Sequence, residues 1–97
     1  MFRHTVLFRW KAEATEEQKQ EVARQVGRLP ALVSTVRGFA IGPDARVNEG
    51  NFDFAVNADF DDVNGYITYR DDAAHREIVA RYIVPILAER AAVQYEW

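Results

Sequence analysis

Two stretches of this chain, FRHTVLFRW and NFDFAVNADF, alternate apolar and polar residues at a period of two. That alternation restricts the possible folds more than anything else in the sequence. In the first stretch Phe2, Val6, Phe8 and Trp10 share a face, with His4 in line among them. Arg3, Thr5, Leu7 and Arg9 take the other face. In the second, Phe52, Phe54, Val56, Ala58 and Phe60 face one way, and Asp53, Ala55, Asn57 and Asp59 the other. Each predicts a half-buried strand packed on one side only.

The segments between them read as helices and turns. Thr15-Glu16-Glu17-Gln18 is a capping box, so a helix should follow with Val22, Val26 and Leu29 on its core face. Gly27 weakens it and Pro30 ends or bends it. Val36 to Ile41 predicts a short strand closed by Gly42-Pro43-Asp44, and residues 44–51 a polar loop. Residues 61–70 predict a short helix capped by Asp61 or Asp62. Asp71 or Asp72 should start a longer helix whose inner stripe is His75, Ile78, Val79, Tyr82, Ile83, Ile86 and Leu87, kinked at Pro85. AAVQYEW predicts a closing strand.

Strand, helix, strand, strand, helix, strand is a split βαβ repeat. The expected fold is α+β, a four-stranded antiparallel sheet with both helices on one face. At 97 residues the chain is one domain, residues 1–97. Its other sheet face then has no cover of its own. If Val93, Tyr95 and Trp97 lie there beside Leu7 and Ala55, the face is an apolar patch that a second copy would cover, giving a homodimer.

Composition excludes several functions. The net charge of −3 offers no basic surface for nucleic acid or anionic lipid, and the absence of cysteine excludes disulfides and thiolate chemistry. No apolar run is long enough for a membrane span or a signal peptide, so the expectation is a soluble cytoplasmic protein. Arg37-Gly38-Phe39-Ala40 opens like an RNA-recognition strand, but Ile41, Gly42 and Asp44 then replace the residues that signature needs. The acidic runs Asp59-Phe60-Asp61-Asp62 and Asp71-Asp72 read as helix caps and first-turn residues rather than metal ligands, having neither EF-hand spacing nor a two-histidine-plus-carboxylate signature.

The remaining candidates are His4, Tyr69 and His75. The only two histidines both fall on core faces, and Tyr69 precedes His75 by six residues. Two imidazoles and a phenol at one end of the sheet–helix layer suit proton transfer to and from a small organic molecule. The other reading is that each is a core residue with its polar atoms satisfied by the backbone.

FRHTVLFRWK, the capped helix after it, YRDDAAH and VPILAERAAVQYEW together resemble the stress-responsive dimeric α/β-barrel family, Dabb, over essentially the whole chain. The resemblance implies a ferredoxin-like fold and a homodimer whose two sheets form a barrel. It also implies a cofactor-free site built from His4, Tyr69 and His75, as in a plant member that closes a linear polyketide thioester by aldol condensation. The expected ligand is ketide-like, or small and aromatic or apolar. The expected function is an acid–base cyclase or proton-transfer enzyme, the alternative a non-catalytic, stress-related dimer. The chain departs from the family pattern in carrying Gln94 where an aspartate is common, and Asp72-Ala73 where His-Pro is common.

Overall fold

The computed structural model describes residues 1–97. Strands β1 (Phe2–Trp10), β2 (Gly38–Pro43), β3 (Phe54–Phe60) and β4 (Leu87–Glu96) form one sheet in the order β2-β3-β1-β4, every neighbouring pair antiparallel. Helices α1 (Glu16–Val26) and α2 (Leu29–Leu32) join β1 to β2, and α3 (Val63–Asp71) and α4 (Ala73–Ile78) lead from β3 towards β4. This is the ferredoxin-like α+β arrangement that the order of elements predicts.

Local chemistry explains the boundaries. The Thr15 side chain accepts from the Gln18 backbone N–H at 3.1 Å, and the Gln18 side chain accepts from the Thr15 N–H at 2.8 Å, closing the capping box. Val22 and Val26 are buried as expected, but Leu29 enters the same core from α2. Pro30 sits in the first turn of that short helix, where its missing N–H costs nothing. Asp62 caps α3 by accepting from the Gly65 N–H, and Asp72 caps α4 by accepting from those of Ala74 and His75. Asp59, Asp61 and Asp71 pair with Arg3, Arg37 and Arg70 respectively.

Three segments differ from the sequence reading. β2 starts at Gly38, two residues late, because the Val36 N–H is taken by the Val33 carbonyl in a turn. It runs on through Pro43, which an edge strand tolerates because one side needs no donor. β3 starts at Phe54 rather than Phe52; the Asp53 N–H still donates to the Phe8 carbonyl, and the Asp53 carboxylate accepts from the Trp10 N–H at 2.8 Å. Phe52 is therefore not on the core face but under the Arg9 guanidinium, 4.3 Å from the ring centre.

The last helix is the largest correction. It ends at Ile78, continues as a wider π-helical turn over Val79–Ile83, then tightens to a 3₁₀ turn over Val84–Ile86 that holds Pro85. The additional residue in the π turn lets the buried positions step by five, from Ile78 to Ile83. β4 then begins at Leu87, four residues before the expected strand.

Sixteen apolar side chains make one core between sheet and helices, and His4 is the one polar side chain buried with them. Phe39 pairs with Ala58 and packs towards that core, so its ring is not displayed on the open face as base stacking would need. The open face follows from register. Arg3 lies opposite Tyr95, Thr5 opposite Val93 and Leu7 opposite Ala91. The aromatic set thus does lie there, with Val93 57% and Trp97 62% exposed. Arg3 is fixed in its midst by two bonds to Asp59, at 2.7 and 2.9 Å, and sits 5.0 Å from the centre of the Trp97 ring.

Candidate functional site

β1 delivers His4 to the inner face of the sheet, and the Asp72 cap turns α4 so that His75 looks back towards it. Tyr69, near the end of α3, lies against His75 with ring centres 4.2 Å apart. Tyr66, one helical turn earlier, lies 4.9 Å from the His4 ring and 6.4 Å from that of Tyr69. His4, Tyr66, Tyr69 and His75 are thus a continuous row of rings. All four line one cavity of about 180 Å³, whose remaining wall is mostly aliphatic, including Val6, Val56, Ile78 and Ile83.

The two imidazoles are held by opposite partners. The Gln94 side-chain amide lies 3.0 Å from His4 Nδ1. An amide N–H only donates, so Nδ1 accepts and the ring proton sits on Nε2. His75 Nδ1 lies 3.3 Å from the Arg70 carbonyl, which only accepts, so here Nδ1 bears the proton and Nε2 keeps its lone pair. One histidine offers a donor and the other an acceptor.

Two unpartnered polar atoms reach the cavity. His4 Nε2 and the Tyr69 hydroxyl have no protein hydrogen-bond partner, yet no sealed side-chain nitrogen or oxygen is left unpartnered. With His4 only 5% and Tyr69 only 3% exposed, the cavity is the space these atoms meet. Burial, with Arg90 and His75 adding to it, pushes the His4 imidazole down to about 4. Burial also lowers His75, against the opposing pull of the Arg70 carbonyl and Asp72. Burial raises the Tyr69 phenol, which therefore stays a neutral donor. At neutral pH the site holds two uncharged imidazoles of opposite hydrogen-bond sense and a phenol.

From β4, Leu87 and Arg90 line the cavity. Arg90, Ala92, Gln94 and Glu96 point to the helix side of that strand, yet all are exposed, because the helices leave this edge uncovered.

The sequence pattern of Dabb, the stress responsive A/B barrel domain, matches residues 2–97. The chain belongs to the Dabb family. Among solved structures, this Dabb chain is similar to a dimeric ferredoxin-like protein of unknown function from Thermobifida fusca, with 40% identity, 99% of this chain and 90% of that one covered, and a TM-score of 0.91. It shares the fold of a Dabb family protein from Mesorhizobium loti, at 20% identity, 98% and 94% coverage and a TM-score of 0.82. The same fold appears in the hydroxynitrile lyase of Passiflora edulis, at 18% identity, 97% and 90% coverage and a TM-score of 0.83. No curated protein sequence matches the chain.

All three residues singled out in the sequence of this Dabb chain line the one cavity. Sequence reasoning missed Tyr66, Arg70, Arg90 and the part played by Gln94. Tyr66 was within reach, three residues before Tyr69 on one helix face. Gln94 and Arg90 were not, since their positions depend on the β1–β4 register. No group of three or more histidine or acidic side chains gathers at metal-binding distance, and no helix is long and apolar enough to cross a membrane.

Proposed function

We propose that this Dabb chain is a homodimer that binds a small, mainly apolar molecule between sheet and helices and moves protons on it without a cofactor. The observation that carries the reading is the opposed pair of imidazoles in one cavity. His75 Nε2 takes a proton from carbon next to a carbonyl, or from a hydroxyl. His4 Nε2–H and the Tyr69 hydroxyl donate to the oxygen where negative charge develops. Aldol-type ring closure fits this scheme. So does cleavage of a hydroxynitrile, in which His75 takes the hydroxyl proton as the carbon–carbon bond breaks, and cyanide leaves with the bonding pair and takes that proton back as hydrogen cyanide. The plant lyase of the same fold supports that class without fixing a substrate.

The direct test is exchange of the methyl protons of acetophenone with D₂O, followed by NMR. Faster exchange with protein than in buffer is expected, and no difference at saturating protein would overturn the catalytic reading. Histidine ring nitrogen shifts should meanwhile report protonated Nε2 at His4 and protonated Nδ1 at His75. Matching tautomers in the two rings would remove the basis for their opposite roles.

The dimer reading is supported by the open sheet face and by the dimeric relative from Thermobifida fusca. Val93 on that face makes no polar contact and is 57% exposed, so Val93→Asp should leave the monomer folded. The change places a charge on each side of a two-fold interface and should weaken self-association by about tenfold to a hundredfold. Sedimentation velocity reads this directly. Unchanged association would place the dimer contact elsewhere.

A further inference from the structure

Arg90 alone among the arginines makes no ion pair, no side-chain hydrogen bond and no aromatic contact. It is not a stray surface group, because it lines the histidine cavity from β4, opposite Phe8 in the β1–β4 register. The other cation in the wall, Arg70, already holds Asp71 through two bonds at 2.9 and 3.1 Å. No aspartate or glutamate lines the cavity at all. The wall therefore has one uncompensated positive charge, at the rim the helices leave open, above an aliphatic and aromatic interior.

From this we infer that the cavity selects a monoanionic ligand, an aromatic or branched aliphatic carboxylate of about one ring, with its carboxylate at Arg90. The inference rests on the reading of this cavity as a ligand site and narrows it. Size sets the apolar part: an apolar cavity of about 150 Å³ is known to hold benzene, and this one measures about 180 Å³. Charge sets the polar part. A guanidinium presents a planar fork that matches a carboxylate with two parallel hydrogen bonds, and such charge-assisted pairs are about twice as strong as neutral ones. Both histidines are neutral near pH 7, so Arg90 is the group left to meet an anion there. It also lies on the helix side of the sheet and stays accessible when two open faces pair.

The test compares benzoate with benzyl alcohol, of similar size, by titration against the histidine side-chain NMR signals at pH 7. Benzoate should bind on the order of tenfold tighter. In Arg90→Met that preference should vanish while benzyl alcohol binding is kept. Arg70→Met, whose guanidinium is already engaged, should keep the preference. Equal binding of the two probes by the unaltered protein, or a benzoate preference that survives Arg90→Met, would overturn the anion inference and leave the cavity reading standing. If neither probe perturbs either histidine, the cavity is not a ligand site and both readings fall.

Discussion

His75→Gln is expected to slow protein-catalysed exchange of a bound ketone's α-protons by about 10²–10⁴-fold, the usual worth of a positioned acid or base. Of the two imidazoles, His75 presents the lone pair, because its other nitrogen donates to the Arg70 carbonyl. Glutamine keeps polar volume at the end of α4 but offers no basic nitrogen. His4→Gln should cost less, since Tyr69 remains as a second donor to the same oxygen. The pH dependence adds a discriminating readout. Burial holds His75 below the ordinary imidazole range, so it stays an unprotonated base through neutrality. Exchange should be flat through neutrality and fall only on the acid side. Equal losses in the two variants would contradict the division of roles. A variant that loses its circular dichroism or its dimer instead would mark His75 as structural.

The outline of the candidate site was legible in the sequence because period-two and helical spacing fix which face a side chain takes. His4 shares the parity of Phe2, Val6 and Phe8, and His75 stands three before Ile78; both sit where those parities put them. Register is what parity alone does not supply. Which residue of the last strand stands beside His4 depends on where that strand begins, and its start at Leu87 was hidden by a stripe of Val79, Tyr82, Ile83 and Ile86 that satisfies helical periodicity well. A π turn and a 3₁₀ turn around Pro85 use the same apolar residues with different spacing, and local propensity does not separate them from a kinked α-helix. The boundaries at Gly38 and Phe54 were missed for a similar reason. There the decisive bonds, Val36 N–H to Val33 and Trp10 N–H to Asp53, follow from tertiary placement rather than from residue type.

Once register is known, the departure at Gln94 changes meaning. A carboxylate in that place would accept a proton bond from His4 Nδ1 and turn its Nε2 into a base. The amide donates instead, reversing the tautomer and leaving His4 as the donor. Under the proposed chemistry, the missing aspartate redistributes roles between the histidines rather than disabling both. Burial keeps both rings neutral: no carboxylate offsets it at His4, where Arg90 adds to it, and at His75 the pull of Asp72 does not outweigh it.

That neutrality has a cost in acid, and the second large effect lies there. Protonating His4 in the folded chain would place an imidazolium against Tyr66 on α3, with His75 on α4 and the Arg90 cation on β4 nearby. It would also break the bond from Gln94. The folded imidazole lies at about 4 against an ordinary 6.5. Between those values the unfolded chain binds a proton that the folded chain refuses, so stability must fall as pH drops from 6.5 towards 4. The loss should approach about 3 kcal/mol at the lower end, and His75, lowered by burial as well, adds in the same direction. Carboxylates held low by their partners, such as Asp59 beside Arg3, give up their contribution only at still lower pH. Urea unfolding at pH 7 and 4.5 separates these terms. The decline should be steep in the unaltered protein and distinctly shallower in His4→Leu, which has no ring to protonate in either state. An unchanged decline in that variant would mean that the folded chain accommodates a charged His4, and the neutral donor assigned to it would have to be given up.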